Sequence, residues 1–145
     1  MAKNRKTPKY LIQTEEPKVR GAIQEPKLPP SDRVLWCFKY LETGHKTFRI
    51  DQLPKDFGNI LLVRLQKYGA MAFREFIPNN SLNSHLADIE RIEAHGGFRG
   101  APEELWHERP WQFSIQNKMR AVGFLIGTVF HIVWIDINHK FDSSK

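Results

Sequence analysis

The apolar positions of this chain recur with two periods, and the switches between them mark out its elements. RVLWCFKYLE (33–42) alternates large residues and is rich in aromatics, which predicts a strand. A polar connection, ETGHKTFRID, follows, and its TFRI extends or repeats that strand. The period then changes. LPKDFGNILLVRLQKYG carries Phe57, Leu61, Leu65 and Tyr68 on one face of a helix. Pro54 suits the first turn of that helix, and Asp56 suits its positive end. Gly69 breaks the pattern. AMAFREFI continues with Met71, Phe73, Phe76 and Ile77 as a second short helix, stopped by PNN. The pair reads as a helical hairpin, or as one helix kinked at the glycine.

Residues 78–110 are irregular. They offer a short helix over 81–94, a Gly-rich loop, and PEELWHE as a helical turn. A stretch this long inside a compact domain is functional or mobile. WQFSIQ (111–116) places Trp111, Phe113 and Ile115 in strict alternation, a half-buried strand closed by a turn at QNK.

RAVGFLIGTVFHIVWIDINHK (120–140) is the most apolar run. A membrane helix needs about 20 apolar residues. Here Ala121 to Ile137 is interrupted by Thr128, His131 and Asp136, and it is rich in Val, Ile, Phe and Trp, which favour strands. Gly127-Thr128 fits a two-residue hairpin turn with glycine first. The expectation is a strand over 119–126 and another over 129–138. In that register Phe124 faces His131, Val122 faces Val133 and Arg120 faces Ile135. Arg120 then shares a face with His131 and His139, and Trp134 lies over Ala121 and Gly123. Both faces are apolar, so the hairpin belongs in the centre of its sheet, with one face on the helices and the other covered in part. The fold class is α+β: an antiparallel sheet with a helical hairpin on one face.

The chain has 145 residues, enough for one ordinary domain. Its net charge is +6, which points toward nucleic acid. Most of the excess sits at the start: residues 1–30 hold seven Lys/Arg against three Asp/Glu, and residues 31–145 hold fifteen against thirteen. Residues 1–32 contain five prolines and no sustained apolar period, and read as a disordered basic arm. It is either a solubilising tail or a segment that folds on a partner or tracks RNA phosphates. The single domain is then 33–145. One cysteine, Cys37, excludes a disulfide scaffold and suits a reducing compartment. With no apolar signal segment in the first 33 residues, the expected location is the cytoplasm.

Familiar catalytic patterns are missing. No HxxxH, HxH or Cys-pair spacing marks a metal site, so neither metal nor cofactor is expected. No G-x-S-x-G elbow is present. GGFRG lacks the context of a phosphate loop. Trp36, Phe38, Trp111 and Phe113 alternate as base-stacking platforms do, but with ten Phe and four Trp most aromatics must be core.

The element order, with WQFSI, RAVGFLIGTVFHIVWID and NHK closing the chain, resembles the RelE/ParE type of toxin from bacterial toxin–antitoxin pairs. The resemblance spans roughly 33–142. The region 78–110 is longer than that family usually has, and the basic arm is additional. RAVGFLIGTVFHIVWIDINHK also looks like the end of small uncharacterised proteins of bacterial mobile elements. Arg120 and His139-Lys140 fall where many toxins of this type have an arginine and a terminal basic pair. The resemblance implies a metal-independent mRNA endonuclease, acting on mRNA or at the ribosome, with a cognate antitoxin protein as partner and no membrane. Such a ribonuclease must activate a 2′-hydroxyl, stabilise a charged phosphorane and protonate a leaving oxygen. Arg120, His139, Lys140 and His85 are the candidates, with Glu75 nearby and His131 a packing residue. Lys46, Arg49, Arg64 and Arg74 are the candidate phosphate contacts. Arg120 is otherwise structural, paired with Asp136 or Glu75; His95 and His107 receive no role. Two further readings compete: a gyrase-directed poison of the same fold, and a non-catalytic interaction module.

Overall fold

The computed structural model describes residues 32–142, so the arm expected over 1–32 lies outside the described residues but for Asp32. The described chain is α+β, built on one five-stranded sheet. The strands are β1 (Leu35–Cys37), β2 (His85–Leu86), β3 (Pro110–Gln116), β4 (Met119–Ile126) and β5 (Val129–Asp136). The helices are α1 (Phe57–Gly69), α2 (Phe73–Phe76), α3 (Ile89–Ala94) and α4 (Glu103–Trp106), with 3-10 turns at Ile50–Gln52 and Asn80–Leu82. The spatial order is β1-β5-β4-β3-β2. The β4–β5 hairpin is therefore central, as its two apolar faces require. Gly127 turns it with φ of 60°, a conformation glycine adopts without cost.

The sheet is mixed rather than antiparallel throughout. β2 to β5 pair antiparallel, whereas β1 runs parallel to β5, with Leu35 opposite Val129 and Cys37 opposite His131. The alternating stretch 33–42 shrinks to this three-residue strand, because the chain next bends. Leu41 N–H donates to Phe38 O, and Glu42 N–H then rejoins β5 at Val133 O. TFRI forms no strand, and β5 stops at Asp136 rather than 138.

Both faces of the sheet carry a buried core, where the second was expected to be covered only in part. On the first face, α1 and α2 lay Phe57, Leu65, Tyr68 and Phe76 against Phe113, Ile115, Ala121, Phe130, Ile132 and Ile135. The predicted helical stripe is the buried stripe, and Leu62 and Val63 on its outer side stay exposed. Each fully buried Phe or Ile contributes about 1.5–3 kcal/mol. On the second face, Ile92, Phe98, Ala101 and Trp106 pack on Val122, Phe124, Val133 and Trp134, with Phe141. The region 78–110 is therefore the second cover. Its expected helix over 81–94 is interrupted by β2, and only Ile89–Ala94 is helical, started by Asp88, whose side chain accepts from Glu90 N–H. Ser84, fully buried, is fixed there by the Trp111 indole, which donates to its hydroxyl at 2.9 Å.

A β-bulge corrects the expected hairpin register. Gly123 pairs with Ile132, but Val122 pairs with Trp134, so Val133 is the extra residue. Beyond it, parity reverses. Arg120 pairs with Asp136 rather than Ile135, and Trp134 joins Val122 and Phe124 instead of lying over Ala121.

Candidate functional site

Three chain segments meet at the end of the sheet where β3 finishes, β4 starts and β5 finishes. The β3–β4 turn opens at Asn117, with φ of 53°, a left-handed conformation that asparagine tolerates. Helix α1 is tied to the end of β3 by two hydrogen bonds. Tyr68 OH donates to Ser114 O at 2.7 Å, and Arg64 Nε donates to Ile115 O at 2.7 Å. The Arg64 guanidinium lies 5.9 Å from the Tyr68 ring centre. Arg120, the second residue of β4, donates to Asn117 O at 2.6 Å and Met119 O at 3.0 Å. Burial raises the Tyr68 phenol above the ordinary tyrosine range, while the charges of Arg64 and Arg120 pull it down. Both guanidinium groups therefore act on the same hydroxyl. Lys67 on α1 and Lys118 in the turn add two exposed cations. Among the described residues, none of these four cations is paired with a carboxylate.

After β5 the chain folds back. The buried Asp136 carboxylate accepts from Lys140 N–H at 2.8 Å and Phe141 N–H at 2.7 Å. That pins the turn and seats Phe141 in the second core. His139 stands in this turn with φ of 59°, and its Nε2 lies 3.3 Å from Asp142 Oδ2. Arg91 of α3 holds the Asp142 carbonyl. Behind the turn, the His95 ring packs between Phe48, Trp134 and Phe141. Burial lowers its pKa, as do the charges of His45 and Arg91; Asp136 and a hydrogen bond to the Phe141 backbone oppose this. His45 accepts at Nδ1 from Thr47 and Phe48 N–H, so its Nε2–H donates to His95 O at 2.9 Å.

The candidate residues are only partly gathered. Arg120 and the His139-Lys140 turn share one end of the sheet through the Arg120–Asp136 pair. No hydrogen bond or ion pair joins them, and Arg120 is held by its own turn rather than by Asp136 or Glu75. Glu75 instead accepts from Ala72 N–H at the start of α2. His85 lies on edge strand β2 opposite Gln112, with its Nδ1 on Leu86 O. It is not in contact with the other three. Arg64 joins Arg120. Lys46 and Arg49 line a separate open depression of about 480 Å³ with His45 and Asp51, where Arg49 is paired with Asp51 at 2.7 Å. Arg74 is exposed on α2. His131 packs flat on Phe124, 4.7 Å between ring centres, with a buried Nδ1 that has no hydrogen-bond partner among the described residues.

Reading the sequence missed Tyr68, Asp142 and His95. Tyr68 was visible only as a core position. Asp142 carries a signal in hindsight: it stands three residues after His139, within reach across one turn.

Compared with family models, curated proteins and solved structures, the chain matches none, so its chemistry rests on these residues alone.

Proposed function

We propose that this chain binds RNA through the end of the sheet formed by α1, the β3–β4 turn and the turn after β5. The observation that carries the reading is the set Arg64, Lys67, Lys118 and Arg120, which has no carboxylate partner among the described residues. Arg64 and Arg120 each spend N–H donors on backbone carbonyls, which fixes the guanidinium planes while leaving other donors for phosphate oxygens. The mild net charge of the folded part makes this local concentration matter more than the total.

The test is fluorescence anisotropy with a labelled single-stranded oligoribonucleotide over a series of salt concentrations. Each lost phosphate contact reduces the slope of log affinity against log salt by about 0.7. Lys67→Glu/Lys118→Glu is expected to weaken binding and flatten the slope, since both side chains are exposed and the fold is spared. Lys46→Glu is expected to change little. Equal loss in both variants, or no binding by the wild type, sinks the reading.

RNA cleavage of the toxin type is a second reading, favoured by the His139–Asp142 pair. A carboxylate on one ring nitrogen orients the imidazole and leaves the other nitrogen for proton transfer. Arg120 is the phosphate-stabilising cation nearest in the sheet pairing, and Lys140 is adjacent in the turn. His85, two strands away on the edge, takes no part. Induction of wild type and of Arg120→Ala/His139→Ala, with mapping of cellular RNA ends, decides it. Growth arrest with new ends, absent in the double variant, supports an endonuclease and the antitoxin partner that goes with it. Growth without new ends leaves the binding module. Arrest without new ends moves the target to gyrase or another protein.

A further inference from the structure

Glu93 of α3, Glu103 of α4 and His107, just past α4, bring one side-chain donor atom each to within 4.8 Å of one another. The imidazole Nε2 lies 3.6 Å from a Glu93 oxygen and 3.9 Å from a Glu103 oxygen. Glu103 and His107 are four apart, so they share one helical face; Glu93 arrives from the other helix. Two carboxylates of like charge thus converge, and among the described residues neither has an Arg or Lys partner. Arg91 is engaged with Asp88 and Asp142. The His107 ring rests on the buried Trp106, 4.4 Å between centres, which restricts its rotation.

We propose that these three residues bind a divalent cation of the zinc class and clamp α3 to α4. A tetrahedral ion with bonds of 2.0–2.2 Å needs donor separations of about 3.4 Å, and an octahedral one about 3.0 Å. The two separations from the imidazole, 3.6 and 3.9 Å, lie nearer the tetrahedral edge, and the two carboxylate oxygens lie within 4.8 Å of each other. One nitrogen and two carboxylate oxygens suit Zn²⁺ or Co²⁺ better than Ca²⁺ or Mg²⁺, which prefer all-oxygen shells. Water completes the fourth position. The clamp spans the loop that covers the second face of the sheet, so metal binding stabilises that cover by mass action. It does not depend on RNA binding.

The experiment is calorimetric titration of the full chain with ZnCl₂, repeated for Glu93→Gln, His107→Ala and the control His139→Ala. One saturable site is expected in the wild type and the control, weakened about tenfold or more in the other two. The wild-type thermal midpoint is expected to rise with zinc, and that of His107→Ala to stay put. The metal-free midpoints of Glu93→Gln and His107→Ala should lie close to the wild type's, since these side chains are exposed. No saturable binding in the wild type, or binding that survives either Glu93→Gln or His107→Ala, overturns the site.

Discussion

A Cβ on Gly123 would stand 1.8 Å from the carbonyl oxygen of His131, across the central hairpin. The bulge draws the two strands together at this point, because Val133 is surplus to the pairing. The neighbour is backbone, so no side chain can move aside. Gly123→Ala is expected to lose at least about 3 kcal/mol of stability, by unfolding in denaturant. A loss below about 1 kcal/mol would mean that the bulge is not where the two strands cross so closely.

Asp136 holds the turn after β5. It is buried, and its carboxylate accepts two backbone N–H groups. Asp136→Ala strands both donors and is expected to cost about 2–4 kcal/mol. Hydrogen exchange at Lys140 and Phe141 should accelerate most. Unchanged protection there would show that the turn is held by something else.

His95 and His131 both have pKa values lowered, chiefly by burial. The unfolded chain therefore takes up protons first as pH falls, and stability present above about pH 6.5 declines below it. His131→Phe keeps the stack on Phe124 and removes a buried nitrogen without a partner. It is expected to add about 1 kcal/mol at pH 5.5 and to shrink the acid decline. An unaltered slope between pH 7 and 5 would contradict this.

Tyr68 gives the opposite limb. Its pKa is raised by burial, so the folded state keeps the phenol proton longer, and stability falls as pH rises past about 10. Removing the positive charge in Arg64→Gln should push the phenol higher still, seen in the ultraviolet titration of the tyrosines. A downward move would show that Arg64 does not act on that hydroxyl. Tyr68→Phe should lose about 1 kcal/mol through the bond to Ser114.

Elements with a sustained period were legible. The stripe Phe57, Leu61, Leu65, Tyr68 and the alternation in WQFSIQ depend only on neighbours along the chain, and both elements formed where expected. The central place of the hairpin followed from apolar residues on both of its faces. The bulge was not legible, because Ile132, Val133 and Trp134 are all apolar and either parity buries them. Strands of two and three residues carry no period at all. The site was legible by type and not by place. Arg64 and Arg120 stood out as cations, but their place at one end of the sheet follows from α1 docking on β3. Glu103 and His107 show a four-residue spacing, whereas Glu93 joins them only through the fold.

Among the described residues, strand β1 has a single partner, β5, the last of the described strands. A chain growing from its N-terminal end presents Leu35 and Trp36 long before Val129 and Phe130 exist to receive them. The β3–β4–β5 meander closes by local turns, while β1 must wait for a loop spanning nearly the whole domain. The first of the described strands is thus the last admitted to the sheet, and during synthesis its Trp36 needs shelter from other chains in the same condition.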